Sequence, residues 1–259
     1  MSKVVAGDIG ATKTRLALVE VVGTQVRVER EISYQSRNFA TFEELLAEFL
    51  KDVQAPPTHA AFGIAGPVLG GSVRTTNLPW YIEADVLRQR FGFKTCTLLN
   101  DLEATAFGLS ALEADGLLTL QPGDPDARGN AAVIAAGTGL GEAGMYWDGS
   151  RHHPYATEGG HTSFSPQTEL EFALLRHLQL RYVHVSWDRV VSGMGLVDLH
   201  DFLRDYRKVA VPPSLADEMR EYDAAAVISR AALDGSDDIC IETLELFVNC
   251  TVRRRATLH

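Results

Sequence analysis

The feature that most constrains the fold is a repeated unit, an apolar strand followed by a glycine turn and a second strand, met at the N-terminus and again near the middle of the chain. Val4-Val5-Ala6-Gly7-Asp8 reads as a buried strand and Thr14 to Val22 as its neighbour, joined through Gly7-Asp8-Ile9-Gly10-Ala11-Thr12-Lys13-Thr14. Asn130 to Ala136 reads as another buried strand, opening into Gly137-Thr138-Gly139-Leu140-Gly141 before Glu142 to Trp147 alternates again. Two such units, one at the start of each half, predict a duplicated α/β architecture. Small and hydroxyl residues in the first of these turns leave backbone and side-chain donors free to approach a phosphate. Neither turn is a standard nucleotide motif. Lys13 lacks the glycine that precedes a Walker lysine, and a strand follows it. Gly139-x-Gly141-x-x-Gly144 spells a dinucleotide fingerprint but runs into strand and turn where that motif needs a helix.

Three further stretches carry polar groups that a fold of this kind would use. The apolar run Thr95 to Leu99 ends in Asn100-Asp101, and Leu102 to Phe107 reads at once as a helix. A carboxylate at such a strand-to-helix junction is held rigidly at the mouth of a sheet, which makes Asp101 the candidate general base. The plainer reading is that Asn100 caps the helix, with Glu103 at its third position, and that Asp101 favours the positive end of the helix dipole. In Glu158-Gly159-Gly160-His161 the glycines let the backbone pass close to a ligand. Glu158 and His161 then suit hydroxyl recognition, because a carboxylate accepts and an imidazole donates or accepts. Asn77, in the turn before Trp80, is a candidate contact, whereas Trp80 reads as core.

Charge and length narrow the partners. The formal net charge is -10, which disfavours nucleic acid and anionic membranes through long-range repulsion. Cys96, Cys240 and Cys250 are too few and too scattered for a disulfide framework or a metal knuckle, as expected in a reducing compartment. No basic-then-apolar leader opens the chain, and no apolar stretch approaches the roughly 20 residues of a membrane span. The expectation is a cytoplasmic protein of two modest domains, residues 1–110 and 111–259.

Taken together, Gly7-Asp8-Ile9-Gly10-Ala11-Thr12-Lys13-Thr14, Leu99-Asn100-Asp101, Gly137-Thr138-Gly139-Leu140-Gly141, Glu158-Gly159-Gly160-His161 and Ser192-Gly193-Met194-Gly195-Leu196 resemble the bacterial glucokinase family. The resemblance runs in order from the N-terminus to about Cys250, and five ordered motifs are far more specific than one. It implies two ribonuclease-H-like α/β domains of the sugar kinase, Hsp70 and actin superfamily, with ATP and glucose bound in the cleft between them. By the same resemblance Asp101 matches the catalytic base, and Asn100, Glu158 and His161 match glucose-binding residues. Asp188 stands where the family has a glutamate that contacts glucose, which shortens the reach by one methylene. Asp8, Gly10, Ala11, Thr12, Lys13 and Thr14 form the first phosphate loop, and Gly137, Thr138 and Gly139 the second. Mg²⁺ is expected on nucleotide phosphates, water and at most one carboxylate, with Asp8 as the candidate, and a homodimer is the family expectation. After Asn249-Cys250 the resemblance stops: Thr251 to His259 reads as a basic, patternless nonapeptide. A C-terminally truncated chain with an incomplete second domain and impaired turnover is expected from that departure.

Overall fold

The computed structural model describes residues 2–23, 25–75, 78–124 and 126–256. The chain forms two compact units, one of Met1–Gly129 with Tyr146–Ala156, the other of Asn130–Met145 with Thr157–His259. The division expected after residue 110 therefore falls inside the first unit, because the chain up to Gly129 clusters with it.

In the first unit β1 (Ser2–Ile9), β2 (Lys13–Val22) and β3 (Gln25–Gln35) form an antiparallel meander. After α1 (Phe42–Leu50), β4 (His59–Ile64) returns parallel to β1. A small ladder of β5 (Ser72–Arg74) and β6 (Tyr81–Glu83) leads into α2 (Ala84–Phe91), and β7 (Thr95–Asn100) then adds parallel to β4 before α3 (Asp101–Leu109) begins. The sheet order is β3-β2-β1-β4-β7. Apolar residues of α1 recur at helical spacing, and Phe42, Leu45, Leu46 and Phe49 are all fully buried. They pack with Val5, Leu16, Phe62 and Ile64 of the sheet and with Trp80 in one core. Thr41 caps α1 by accepting the Glu44 N–H. Trp80 is core, as the sequence predicts, and its indole N–H donates to the Phe39 carbonyl at 3.2 Å. The apolar run Thr95 to Leu99 predicts a buried strand, and β7 differs from that expectation. It lies at the sheet edge and buries Leu98 alone.

The second unit begins with β8 (Ala131–Ala136) paired antiparallel with β9 (Leu140–Trp147). From Tyr146 through the Asp148 turn and β10 (His152–Thr157) as far as Ala156, the chain clusters with the first unit, and it rejoins the second at Thr157. β8 was expected to be buried, yet its ends are exposed and only Val133 and Ile134 are half-buried. An alanine-rich edge strand has little apolar area to withdraw from water. Helices follow: α4 (Glu169–Gln179), α5 (Gly193–Arg207), α6 (Pro213–Glu221), α7 (Ala224–Leu233) and α8 (Asp238–Ala256). α4 opens on a capping box between Thr168 and Glu171. α6 escapes a reading based on apolar periodicity alone, although Pro213 at its first position is a start signal. The core joins Leu174 and Leu178 of α4 to Leu199, Phe202 and Leu203 of α5 and to Leu246 and Cys250 of α8.

The C-terminal stretch corrects an expectation. Residues 251–256 are not patternless: they continue α8 through Ala256. Arg254 is buried, with its Nε 2.5 Å from Glu142 Oε1 and its Nη2 2.7 Å from Oε2, and Nη2 also donates to the Gly159 carbonyl at 2.9 Å. Arg253 pairs with the buried Glu171 of α4.

Candidate active site

The first glycine turn is built from β1 and β2. Gly10 N–H donates to the Lys13 carbonyl at 3.1 Å, and a Cβ on Gly10 would stand 2.8 Å from that same oxygen, so only glycine closes the turn this tightly. Thr12 and Lys13 are exposed on it, Ala11 is half-buried and Asp8 is exposed beneath it. Thr14 differs from these neighbours in being fully buried, with its hydroxyl 2.9 Å from that of Ser36. Ser36, also fully buried, donates to the Gly10 carbonyl at 2.7 Å, and its N–H donates to the Thr12 carbonyl. The turn is thus braced from below by two buried hydroxyls. Ser36 was missed in the sequence, where nothing separates it from any other loop serine.

Asp101 opens α3, and the cap predicted for this helix is present. Asn100 Oδ1 accepts the N–H groups of Leu102 and Glu103 at 3.0 and 3.4 Å, and its Nδ2 donates to the Gly66 carbonyl at 3.2 Å. Capping does not consume Asp101, whose Oδ1 accepts the Leu102 N–H at 2.9 Å. Burial raises the Asp101 carboxyl above its ordinary value, against the Leu102 N–H that favours the anion; the nearby charge of Asp8 raises it further. α3 sits close over β4 because Gly63 leaves room: a Cβ there would stand 3.0 Å from the Ala104 Cβ. Gly63, in a small-residue strand, is therefore a second residue that the sequence reading passed over.

In the second unit, Gly137 N–H donates to the Gly139 carbonyl at 2.8 Å and Gly137 O accepts the Gly193 N–H at 2.8 Å. Thr138 is exposed at the tip of this second turn. Glu158 precedes the short 3-10 turn Gly159–His161 and His161 ends it; both are exposed, with His161 Nε2 3.7 Å from Glu158 Oε2. The glycines between them are required by packing. A Cβ on Gly159 would lie 2.0 Å from Glu142 Oε2, and one on Gly160 would lie 2.2 Å from the Leu140 carbonyl. The Glu158 to His161 turn is therefore seated directly on β9. Asp188 is buried, and its Oδ1 accepts the Leu140 N–H at 2.7 Å. Asn77 lies outside the described residues.

The three cysteines are free, and burial pushes Cys240 and Cys250 up to about 12, so neither is a thiolate near neutral pH. Among the described residues no group of three or more His, Cys, Asp or Glu could hold a metal ion, and no helix is long and apolar enough to cross a membrane.

The architecture is that of the α/β sugar kinases. A glucokinase structure from an Antarctic psychrotroph matches with a TM-score of 0.82 at 27% identity, over 97% of this chain and 76% of that one. The glucokinase of Balamuthia mandrillaris, solved with glucose, shares the fold with a TM-score of 0.76 at 23% identity, over 99% of this chain and 76% of that one. The family model described as glucokinase matches residues 5–256, and the glucokinase of Trichormus variabilis is 37% identical over 96% of this chain and 78% of its own length. The chain belongs to the glucokinase family.

Proposed function

We propose that this protein transfers the terminal phosphoryl group of ATP to the 6-hydroxyl of glucose, with Asp101 as general base. The observation that carries the reading is Asp101 itself, a half-buried carboxyl raised above its ordinary value at the rigid start of α3, in a chain 37% identical to a glucokinase. Asp101 accepts the 6-hydroxyl proton as that oxygen bonds to the terminal phosphorus and the bond to the departing ADP oxygen breaks. A raised pKa makes the carboxylate a better proton acceptor, and the Leu102 N–H keeps it oriented. Asn100, Glu158 and His161 receive the sugar hydroxyls, with Asn77 as a further contact.

Asp8, Gly10, Ala11, Thr12 and Lys13 meet the nucleotide at the first turn, with Thr14 acting through the Ser36 brace beneath it; Gly137, Thr138 and Gly139 meet it at the second. The donor set fits MgATP, since exposed Asp8 offers one carboxylate beside a turn that carries an exposed hydroxyl and an ammonium. When bound, Mg²⁺ neutralises phosphate charge, and Asp8 is the residue that would hold it. The first unit is read as ribonuclease-H-like; its order of three antiparallel strands followed by two parallel ones supports this. Incubation with glucose, ATP and Mg²⁺, with detection of glucose 6-phosphate, tests the function. No product at any substrate concentration overturns it.

Glu158→Ala and His161→Ala each raise KM for glucose by about 10–100-fold, the worth of a charge-assisted hydrogen bond, and change KM for ATP little. A rise confined to ATP would move these residues to the nucleotide side. The pH dependence follows from Asp101. Its folded carboxyl is raised above its ordinary value, so kcat/KM falls on acidification at a higher pH than an unperturbed aspartate would set. Asp8→Asn removes a neighbouring charge that raises Asp101, so the acid limb of kcat/KM moves to lower pH. By linkage, this one group favours the folded state at low pH, and that contribution is lost as pH rises through its folded pKa. An acid limb that persists unchanged in the residual activity of Asp101→Asn would show that Asp101 does not set it.

A further inference from the structure

Asp188 lies in a short 3-10 turn, Trp187–Arg189, where it is only 9% exposed. A buried carboxylate must find hydrogen-bond donors to replace water. Asp188 finds one far along the chain, the Leu140 N–H, which emerges as the second glycine turn runs into β9. A Cβ on Gly139 would stand 2.8 Å from the same Oδ1, so the carboxylate is seated against the turn's own backbone. The other end of the turn is held from the same segment, since Gly193 N–H donates to the Gly137 carbonyl at 2.8 Å. Between these two anchors Val190, Val191 and Ser192 are fully buried, and the Ser192 hydroxyl accepts the Gly195 N–H to cap α5. The segment 188–193 is thus a rigid clamp with one arm on Leu140 and the other on Gly137.

We infer that Asp188 is a positioning residue for the phosphate turn: its Oδ1 fixes the Leu140 amide, and with it the turn's backbone, while Oδ2 is the oxygen available to a sugar hydroxyl. One carboxylate then ties the sugar side of the second unit to its nucleotide side. The inference rests on the proposed reading of residues 137–141 as a turn that meets ATP phosphates.

Asp188→Asn and Asp188→Ala separate the two roles. Asparagine keeps an acceptor for the Leu140 N–H and loses the charge; alanine loses both. In Asp188→Ala, hydrogen exchange of the Leu140 amide quickens and KM for ATP rises, each by roughly tenfold, the effect of one lost hydrogen bond of about 1.4 kcal/mol. In Asp188→Asn both stay within about twofold of the parent, while KM for glucose rises in both variants. Gly139→Ala, whose Cβ would displace the carboxylate, reproduces the alanine pattern with Asp188 intact, and serves if Asp188→Ala does not fold. A Leu140 amide that exchanges at the parental rate in Asp188→Ala, or a rise in KM for glucose with KM for ATP unchanged, overturns the inference. If the parent makes no glucose 6-phosphate, the functional reading fails by itself, and exchange at Leu140 still decides whether Asp188 holds the turn.

Discussion

Asp101→Asn lowers kcat for glucose phosphorylation on the order of 10²–10⁴-fold, the range that a positioned general base supplies, while glucose still binds. The amide keeps the size of the carboxyl and an oxygen to accept the Leu102 N–H, so the start of α3 stays in place. Asn100 carries the helix cap by itself, through Leu102 and Glu103, and is untouched by the change. What is lost is the ability to take a proton from the attacking hydroxyl. Steady-state kinetics beside a separate glucose titration measure the two effects, and turnover within a few-fold of the parent would remove Asp101 from the chemistry. A variant that lost glucose affinity and turnover together would place Asp101 among the binding groups instead.

Arg254→Met destabilises the second unit by about 3–5 kcal/mol, because it strands the carboxylate of Glu142, which is only 3% exposed. Arg254 Nε and Nη2 reach both oxygens of that carboxylate, and Nη2 also satisfies the Gly159 carbonyl. The guanidinium further lies 5.7 Å from the centroid of the Trp187 ring. Loss of the cation therefore loosens the Glu158 to His161 turn as well as the core, and glucose affinity falls with stability. Glu142→Leu combined with Arg254→Met recovers most of the loss, since no unpaired charge remains. Urea unfolding of the single and double variants decides the matter: a single variant as stable as the parent would show that the pair contributes nothing.

Most of the local structure follows from short-range rules. The α1 stripe, the Thr168 capping box, the Asn100 cap and the tight turn at Gly10 each rest on a few neighbouring residues, so they are legible without tertiary information. α6 lies at the margin of that legibility, marked by its proline rather than by periodicity. Asp8, beside the first glycine turn, and Asp101, at the strand-to-helix junction, could be singled out by place and residue type, although the helix dipole by itself also favours a carboxylate at a helix start.

Sequence alone determined the main strands and helices around the two glycine turns and most of the polar groups beside them, because periodicity, caps and turn glycines act between neighbours along the chain. Tertiary structure decided what those groups touch. Glu142 reads as one residue of an alternating strand until Arg254, 112 positions later, is seen to neutralise it. The glycines of the Glu158 to His161 turn look like a ligand's clearance until β9 fills the space, and Ser36 and Gly63 look ordinary until Gly10 and Ala104 lie against them. Asp188, which the resemblance makes a sugar contact, also accepts the Leu140 N–H, a bond that no local pattern announces. Each of these depends on a contact between residues far apart in the chain, and burial there turns a common side chain, or the lack of one, into a requirement.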